Sequence, residues 1–161
     1  MTEPAPQRII VGVHQSAASL AALRWAAAEA RLRRAKLHVV HAWEPAARRA
    51  SYAILGDSTV SGQERLHAQK VLAAVMRGVY GSEISPGITA ELAEGTAERV
   101  LVQRSREAGL LVLGAAGAHL AGRPAGPVIR ACMHSARCPL VIITASAAMT
   151  PPVVSTPVAV S

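Results

Sequence analysis

The sequence of 161 residues contains no phenylalanine, two tryptophans and two tyrosines, so aromatic residues make up only 2% of the chain. A core built around aromatic rings is therefore excluded. Apolar residues still amount to 51% of the chain, and its length is sufficient for one domain with a full hydrophobic core. That core must consist of Ala, Val, Leu and Ile, which suit close packing of helices on a sheet.

Nucleic-acid binding has little support, although the net charge is +7. The basic residues are spread along the chain, and those at positions 31, 33, 34 and 36 end a predicted helix, where the helix dipole favours cations. With so few aromatic rings, the chain also offers little surface on which bases could stack. We predict no nucleic-acid partner.

Membrane spans, a secretion signal and a zinc motif are also lacking. No apolar run reaches the roughly 18 residues of a membrane span, and residues 1–7 do not have the basic-then-apolar layout of a signal peptide. We therefore expect a cytoplasmic location and no membrane partner. Cys132 and Cys138 lie six residues apart, a spacing that matches no common zinc pattern. Free, mostly buried thiols are expected, and nothing nearby favours the alternative of a redox role.

The sequence also lacks the common catalytic motifs. It has no Gly-x4-Gly-Lys-Ser/Thr phosphate loop, no Gly-x-Gly-x-x-Gly turn after the first strand and no Gly-x-Ser-x-Gly elbow. No carboxylate pair with an obvious spacing indicates a general base or a metal site. We predict that the protein is not an enzyme, with a weak ATPase activity left open.

What the chain does have is an alternation of strands and helices. Short apolar, β-branched runs predict five strands, and segments with helical spacing predict about four helices. The strands are predicted at 8–13, 36–43, 87–93, 110–113 and 139–143. The first helix follows Ser16 or Ser19, the second covers 64–80, the third runs from Thr96 to about 107, and the fourth begins near 127. This order predicts a doubly wound α/β domain, a three-layer sandwich around a five-stranded parallel sheet.

Three segments fall outside this pattern. Residues 1–7 are predicted to be a disordered N-terminus, and the Pro-rich residues 145–161 a flexible tail. Residues 44–63 are too long for a routine connection, which indicates either a mobile flap near a site or disorder. The predicted domain therefore covers residues 8–144.

The loop from Gly114 to Pro127 has four glycines, follows the fourth predicted strand and enters a helix. Such an arrangement presents backbone N–H groups and a helix N-terminus to an anion. The alternative is a long connection whose glycines only make turns. Ligands of doubly wound sheets bind at the carboxyl ends of the strands near the topological switch point, so we expect His14 and Gly114 to lie close together.

The chain resembles the universal stress protein family over about residues 8–144. The motifs are Ile9-Ile10-Val11-Gly12-Val13 with Ser16, Val39-Val40-His41-Ala42-Trp43-Glu44-Pro45, Leu113-Gly114, and His134-Ser135-Ala136-Arg137-Cys138-Pro139-Leu140-Val141-Ile142-Ile143. The last block is the most specific. The resemblance implies a fold like that of the adenine nucleotide α-hydrolases.

Nucleotide-binding members of this family have Gly-x2-Gly-x9-Gly-Ser/Thr after the fourth strand. Here Gly114 and Gly117 match, but Gly126 follows after eight residues instead of nine, and Pro127 replaces the Ser or Thr. Proline supplies neither a hydroxyl nor an N–H. His14 stands where the family usually has Asp, and Gln15 where Gly is common.

The resemblance implies a set of nucleotide-binding positions. Ala42 corresponds to a residue whose backbone touches adenine, and Arg123 or His119 would add positive charge for phosphates. The full predicted set is Gly12, Val13, His14, Ala42, Leu113, Gly114, Ala115, Gly117, Arg123, Gly126, Pro127 and Val128.

The resemblance implies a regulatory domain of the stress response that binds ATP, weakly because of the substitutions, with no metal beyond the Mg²⁺ that accompanies a nucleotide. The alternative is a dimeric interaction scaffold that has lost ATP binding. Family members commonly pair through the last strand, here Leu140 to Ile143, and an apolar edge needs covering. A homodimer through that strand is therefore expected.

Overall fold

The structure is a computed structural model that describes residues 7–46, 58–115 and 125–144, with the backbone alone at 58–60. In these residues the chain forms five strands and four helices. The strands are β1 (Arg8–Gly12), β2 (Lys36–Trp43), β3 (Ile88–Glu94), β4 (Leu110–Ala115) and β5 (Leu140–Thr144). The helices are α1 (Ala17–Arg33), α2 (Ser58–Tyr80), α3 (Ala97–Ser105) and α4 (Pro127–Ser135).

The five described strands form one parallel sheet in the order β3-β2-β1-β4-β5. From β1 the chain adds β2 and then β3 on one side, and it then crosses to the other side of β1, where it adds β4 and β5. The strand order therefore reverses between β1 and β4. There Gly12 is in register with Leu113. The predicted doubly wound architecture is confirmed, and β5 is an edge strand.

Side chains that alternate along the strands divide the core between the two faces of the sheet. Ile9 and Val11 of β1 pack with α1 and α2 on one face, whereas Ile10 packs with α3 and α4 on the other. Val11, Val39 and Val112 are fully buried. Because both faces are covered by helices, the central strands are continuous apolar runs, as is usual for parallel sheets. Aliphatic side chains fill both layers.

Capping side chains begin two of the helices. The Ser16 side chain accepts a hydrogen bond from the Ser19 N–H at 3.1 Å, so Ser16 and not Ser19 is the N-cap of α1. Thr96 caps α3 as predicted, accepting from the Arg99 N–H at 3.3 Å. Each cap satisfies a backbone donor that has no acceptor within the helix.

Several predicted boundaries were wrong. Helix α2 begins at Ser58 rather than Glu64, so residues 58–63, which were predicted to belong to a flap or disordered segment, are helical. Strand β4 extends two residues further than predicted, to Ala115, and α3 ends at Ser105. Polar residues before Glu64 hide the helical period, and packing against the sheet decides where the helix starts. Residues 1–6, 47–57 and 145–161 lie outside the described residues.

Both cysteines are free thiols, as predicted, with Cys132 buried and Cys138 half-buried. Burial raises the pKa of the Cys132 thiol to about 11, and it also raises the pKa of Cys138. Within the described ranges, none of the helices is long and apolar enough to span a bilayer.

Candidate functional site

The carboxyl ends of β1 and β4 meet at the point where the strand order reverses. His14 follows β1, and Gly114 is the penultimate residue of β4. Both line a cavity of about 460 Å³ together with the start of α4. The sequence-based expectation that these two residues lie close together is therefore confirmed.

Two hydrogen bonds hold the backbone of His14. Its N–H donates to the Ser19 Oγ at 2.7 Å, and its carbonyl oxygen accepts from the Ser16 N–H at 2.9 Å. Ser19 is buried, so the end of β1 is tied to the first turn of α1 inside the protein. Desolvation and the neighbouring His41 lower the pKa of the His14 imidazole. A neutral imidazole therefore stands where the family usually has a carboxylate.

His41, near the end of β2, is oriented by the backbone of the switch point. Its Nδ1 lies 2.8 Å from the Val13 carbonyl oxygen, and a carbonyl only accepts, so Nδ1 is the protonated nitrogen. His41 also lines a larger cavity of about 810 Å³ between the end of β2, α2 and the start of α3. This bond links the residue after β1 to that cavity.

The glycines of the candidate site serve different purposes. A Cβ added at Gly114 would lie 2.3 Å from the Ala18 carbonyl oxygen, and one at Gly12 would lie 2.8 Å from a Leu101 methyl group. Packing therefore requires Gly114 whether or not a ligand binds, because its obstacles are backbone atoms, whereas the obstacles at Gly12 are the methyl ends of leucine side chains, which can shift. A Cβ at Gly126 would meet no atom within 4 Å, so packing among the described residues does not require that glycine.

The start of α4 exposes backbone donors. Gly126 is its N-cap, with φ −58° and ψ 163°, and among the described residues no side-chain hydrogen bond caps the helix there. Pro127 at the first helical position has no N–H. The N–H groups of Val128 and Ile129 remain, and a helix offers no internal acceptor to donors in its first turn. Partial positive charge at this terminus favours an anion.

The structure gathers ten of the twelve predicted positions around two adjoining cavities. A narrow pocket of about 110 Å³ is lined by Gly12, Val13, His14, Ala42, Leu113, Gly114 and Val128, among others. The 460 Å³ cavity is lined by Ala115, Gly126 and Pro127, and it shares His14, Gly114 and Val128 with the narrow pocket. Gly117, Arg123 and His119 lie outside the described residues.

Sequence reasoning missed the 810 Å³ cavity, which shares Ala42 and Val128 with the predicted site. Among its lining residues are His41, Trp43, Glu44, Glu64, His67, Thr96 and Glu98. Part of this cavity could have been predicted, since the end of β2 lies at the same edge of a parallel sheet as the ends of β1 and β4. The contribution of α2 to its lining, however, could not be predicted from the spacing of residues along the sequence. The Glu64 carboxylate accepts from the Ala46 N–H at 3.1 Å.

The two large cavities differ in charge. Carboxylates and imidazoles line the 810 Å³ cavity, whereas His14 is the one titratable side chain among the lining residues of the 460 Å³ cavity. The 810 Å³ cavity suits a ligand with hydroxyl groups, because carboxylates accept hydrogen bonds from hydroxyls. The 460 Å³ cavity suits a small anion, because backbone donors border it. Among the described residues, no group of three or more His, Cys, Asp or Glu is arranged to hold a metal ion.

A separate charged network lies on the α3 face of the sheet. Arg104 donates through Nε and Nη2 to both carboxylate oxygens of Glu91, with Nε 3.0 Å from Oε2. The His38 Nε2 lies 2.6 Å from the same Oε2. The hydrogen bond from Arg104, with a smaller contribution from His38, lowers the pKa of Glu91 to about 2 against the opposing effect of desolvation. This network joins α3 to β2 and β3.

Comparison with known proteins extends over most of the chain. The family profile described as "Universal stress protein family" matches residues 6–144. Universal stress protein Rv2623 of Mycobacterium tuberculosis is 32% identical over 139 residues, which are 84% of this chain and 46% of that protein. The chain thus matches about half the length of this curated relative.

Solved structures show the same fold. The universal stress protein UspA from Lactobacillus plantarum has a TM-score of 0.67 and 23% identity, covering 85% of this chain and 97% of that one. The universal stress protein from Archaeoglobus fulgidus, solved in complex with dAMP, has a TM-score of 0.59 and 22% identity, covering 85% and 97%. At these identities the likeness shows the fold alone.

Proposed function

Because this chain belongs to the universal stress protein family, we propose that it is a regulatory domain of the stress response that binds an adenine nucleotide such as ATP. It acts in the cytoplasm as a homodimer. The observation in favour of binding is the convergence of the end of β1, the end of β4 and the start of α4 on adjoining cavities. The Archaeoglobus fulgidus relative, which has the same fold, was solved with dAMP.

The cavities suit different parts of a nucleotide. Phosphates would accept hydrogen bonds from the N–H groups of Val128 and Ile129, helped by the positive end of the α4 dipole. The base would lie against the backbone at Ala42, which borders both the narrow pocket and the 810 Å³ cavity. Carboxylates of that larger cavity are acceptors for ribose hydroxyls. Any Mg²⁺ would accompany the phosphates, where it supplies charge neutralisation.

Two substitutions make the proposed binding weak. Pro127 removes one N–H and one hydroxyl relative to Ser or Thr, and a neutral His14 replaces a carboxylate. Losing one hydrogen bond to a charged group costs about 1.5–3 kcal/mol, which is roughly a tenfold to hundredfold loss of affinity.

Calorimetric titration with ATP, ADP, AMP and cyclic AMP tests this proposal. We expect a measurable but weak dissociation constant that tightens at least about tenfold in Pro127→Ser and in His14→Asp. Met133→Ser, an exposed change near the other end of α4, is the matched control and should leave the affinity unchanged. Absence of heat at millimolar nucleotide in all of these proteins would refute nucleotide binding.

A nucleotide-independent interaction scaffold is the second candidate function. It is favoured by the packing role of Gly114, whose presence is accounted for without a ligand. Strand β5 is an edge strand, and all five of its residues are half-buried, so a second copy could cover it. Light scattering after gel filtration should show a dimer with or without nucleotide, and a monomer at high concentration would contradict the pairing.

Turnover of the nucleotide is not part of this proposal, because the chain has no phosphate loop of the Gly-x4-Gly-Lys-Ser/Thr type. Phosphate release from ATP is the measurement. Release that depends on protein concentration and disappears in a Val128→Pro variant would show that the domain is an ATPase.

A further inference from the structure

A second large cavity lies at the opposite end of the sheet from the candidate nucleotide site. It has a volume of about 750 Å³ and is bordered by the second half of α1, the first residues of β2, the end of α2 and the turn before β3. Because parallel strands all start at one edge, this is the amino-terminal edge of the sheet. None of its lining residues lines the three cavities at the carboxyl edge.

The lining residues of this cavity have charge of one sign. They include Arg24, Arg31, Arg34 and Lys36, and no Asp or Glu. Arg24 and Arg31 are seven residues apart on α1, so they lie two turns apart on the same face of the helix. None of the four forms a salt bridge within the parts of the chain that the structure describes. Four cations without neutralising carboxylates repel one another and attract an anion.

The helix dipole does not account for all of this charge. A dipole favours cations within the last turn, which covers Arg31 but neither Arg24, two turns earlier, nor Lys36 on the strand. Arg34 adopts the left-handed conformation, with φ 52° and ψ 36°, at a helix end where glycine is preferred. It is the one described non-glycine residue with positive φ. The chain retains an arginine there although glycine would be less strained.

The cavity also has an apolar wall with a tyrosine beside it. Its apolar lining residues include Ala27, Ala30, Leu37, Val79 and Ile88. Tyr80 lines it as well, and the Tyr80 hydroxyl oxygen is buried without a hydrogen-bond partner among the described residues. Burial raises the pKa of Tyr80, partly opposed by Arg31, so the phenol is a protonated donor at neutral pH. A buried hydroxyl without an acceptor is unfavourable.

We propose that this cavity binds a small organic anion with an aliphatic body, of the class of long-chain carboxylates. The carboxylate lies among Arg24, Arg31, Arg34 and Lys36, and the chain lies on the apolar wall. The volume is within the range of about 300–1,000 Å³ that is usual for ligand sites. A cation would be repelled by the rim, and an inorganic anion alone would leave the apolar wall unused.

Calorimetry on the full chain with three probes tests the ligand class. Dodecanoate, below its critical micelle concentration, should bind with one molecule per chain. Dodecyltrimethylammonium, with the same chain length and opposite charge, should not bind, and inorganic phosphate should bind at least about tenfold more weakly. Equal binding of the two amphiphiles, or of phosphate and dodecanoate, would overturn the proposal. So would binding to phosphatidylglycerol vesicles without saturable binding of free dodecanoate, which would assign this end to a membrane surface.

Substitutions at the rim of this cavity test whether dodecanoate binds there. Ala28 is exposed and lines the cavity, so Ala28→Glu places a carboxylate at the rim without disturbing the core and should weaken dodecanoate binding at least about tenfold. The double change Arg31→Gln with Lys36→Gln should do the same. Arg99→Gln, which removes an exposed cation from α3, is the control. If Ala28→Glu, folded by circular dichroism, binds as the unaltered protein does, the proposal is wrong.

Discussion

Replacement of Gly114 by alanine tests whether packing alone requires this glycine. The added Cβ would lie 2.3 Å from the Ala18 carbonyl oxygen, 2.5 Å from its carbonyl carbon and 2.8 Å from the Ser19 nitrogen. Unstrained contacts with carbon need about 3.5 Å, so the end of β4 and the first turn of α1 must separate by roughly 1 Å. These obstacles are backbone atoms, and rotation of a side chain cannot relieve them.

The loss of stability expected for Gly114→Ala lies at the upper end of the range for overpacking substitutions. Such substitutions typically cost about 1–3 kcal/mol, and here the displaced turn also contains Ser19, which accepts a hydrogen bond from the His14 N–H. We expect Gly114→Ala to lower the free energy of unfolding by about 3 kcal/mol and the Tm by roughly 6–12 °C. Urea unfolding without nucleotide, followed by circular dichroism, measures this directly.

Gly126→Ala is the matched control, since both glycines border the candidate site. No atom of the described residues lies within 4 Å of the added Cβ, and φ is −58°. Alanine is a weaker N-cap than glycine, which lowers stability, whereas it reduces the entropy of the unfolded chain, which raises stability. The free energy of unfolding should therefore change by less than about 1 kcal/mol. If the two variants are equally stable, the contact of Gly114 with α1 does not explain the glycine.

Three further predictions follow from polar groups. Ser19→Ala should destabilise the protein by about 1–3 kcal/mol, because the His14 N–H loses its acceptor, and chemical unfolding measures this loss. The folded-state pKa of Glu91 is about 2, below its usual 4.5, so its contribution is present above pH 4.5 and is lost as the pH falls towards 2. Glu91→Gln should therefore reduce stability at pH 6 by about 1–2 kcal/mol and by less at pH 3, whereas Glu107→Gln, in an exposed ion pair with Arg8, should have little effect at either pH. An equal loss for both carboxyl variants would contradict the role of the hydrogen bonds that Glu91 accepts from Arg104 and makes with His38. Because the pKa of buried Cys132 is about 11, iodoacetamide at pH 7.5 should alkylate it in unfolded protein much faster than in native protein, as mass spectrometry would show.

Patterns along the sequence are sufficient to predict the architecture and the region of the candidate site. Alternating apolar runs and amphipathic segments predict five parallel strands and four helices, because hydrophobic period and chain connectivity are local properties. The adjacency of His14 and Gly114 also followed, since the switch-point rule depends only on strand order. Boundaries were less accurate, as the start of α2 at Ser58 shows.

The contacts of individual residues, in contrast, became known from the three-dimensional structure. Gly114 and Gly126 belong to the same glycine-rich segment of the sequence, but Gly114 is packed against the backbone of α1, whereas a Cβ at Gly126 would meet no described atom within 4 Å. The cavity at the amino-terminal edge is bordered by residues from Arg24 to Ile88, which no motif connects. Sequence patterns report the period and the chemistry of neighbours along the chain. Contacts between distant segments depend on how helices pack across the sheet, and those contacts determine which glycines are obligatory and where charges converge.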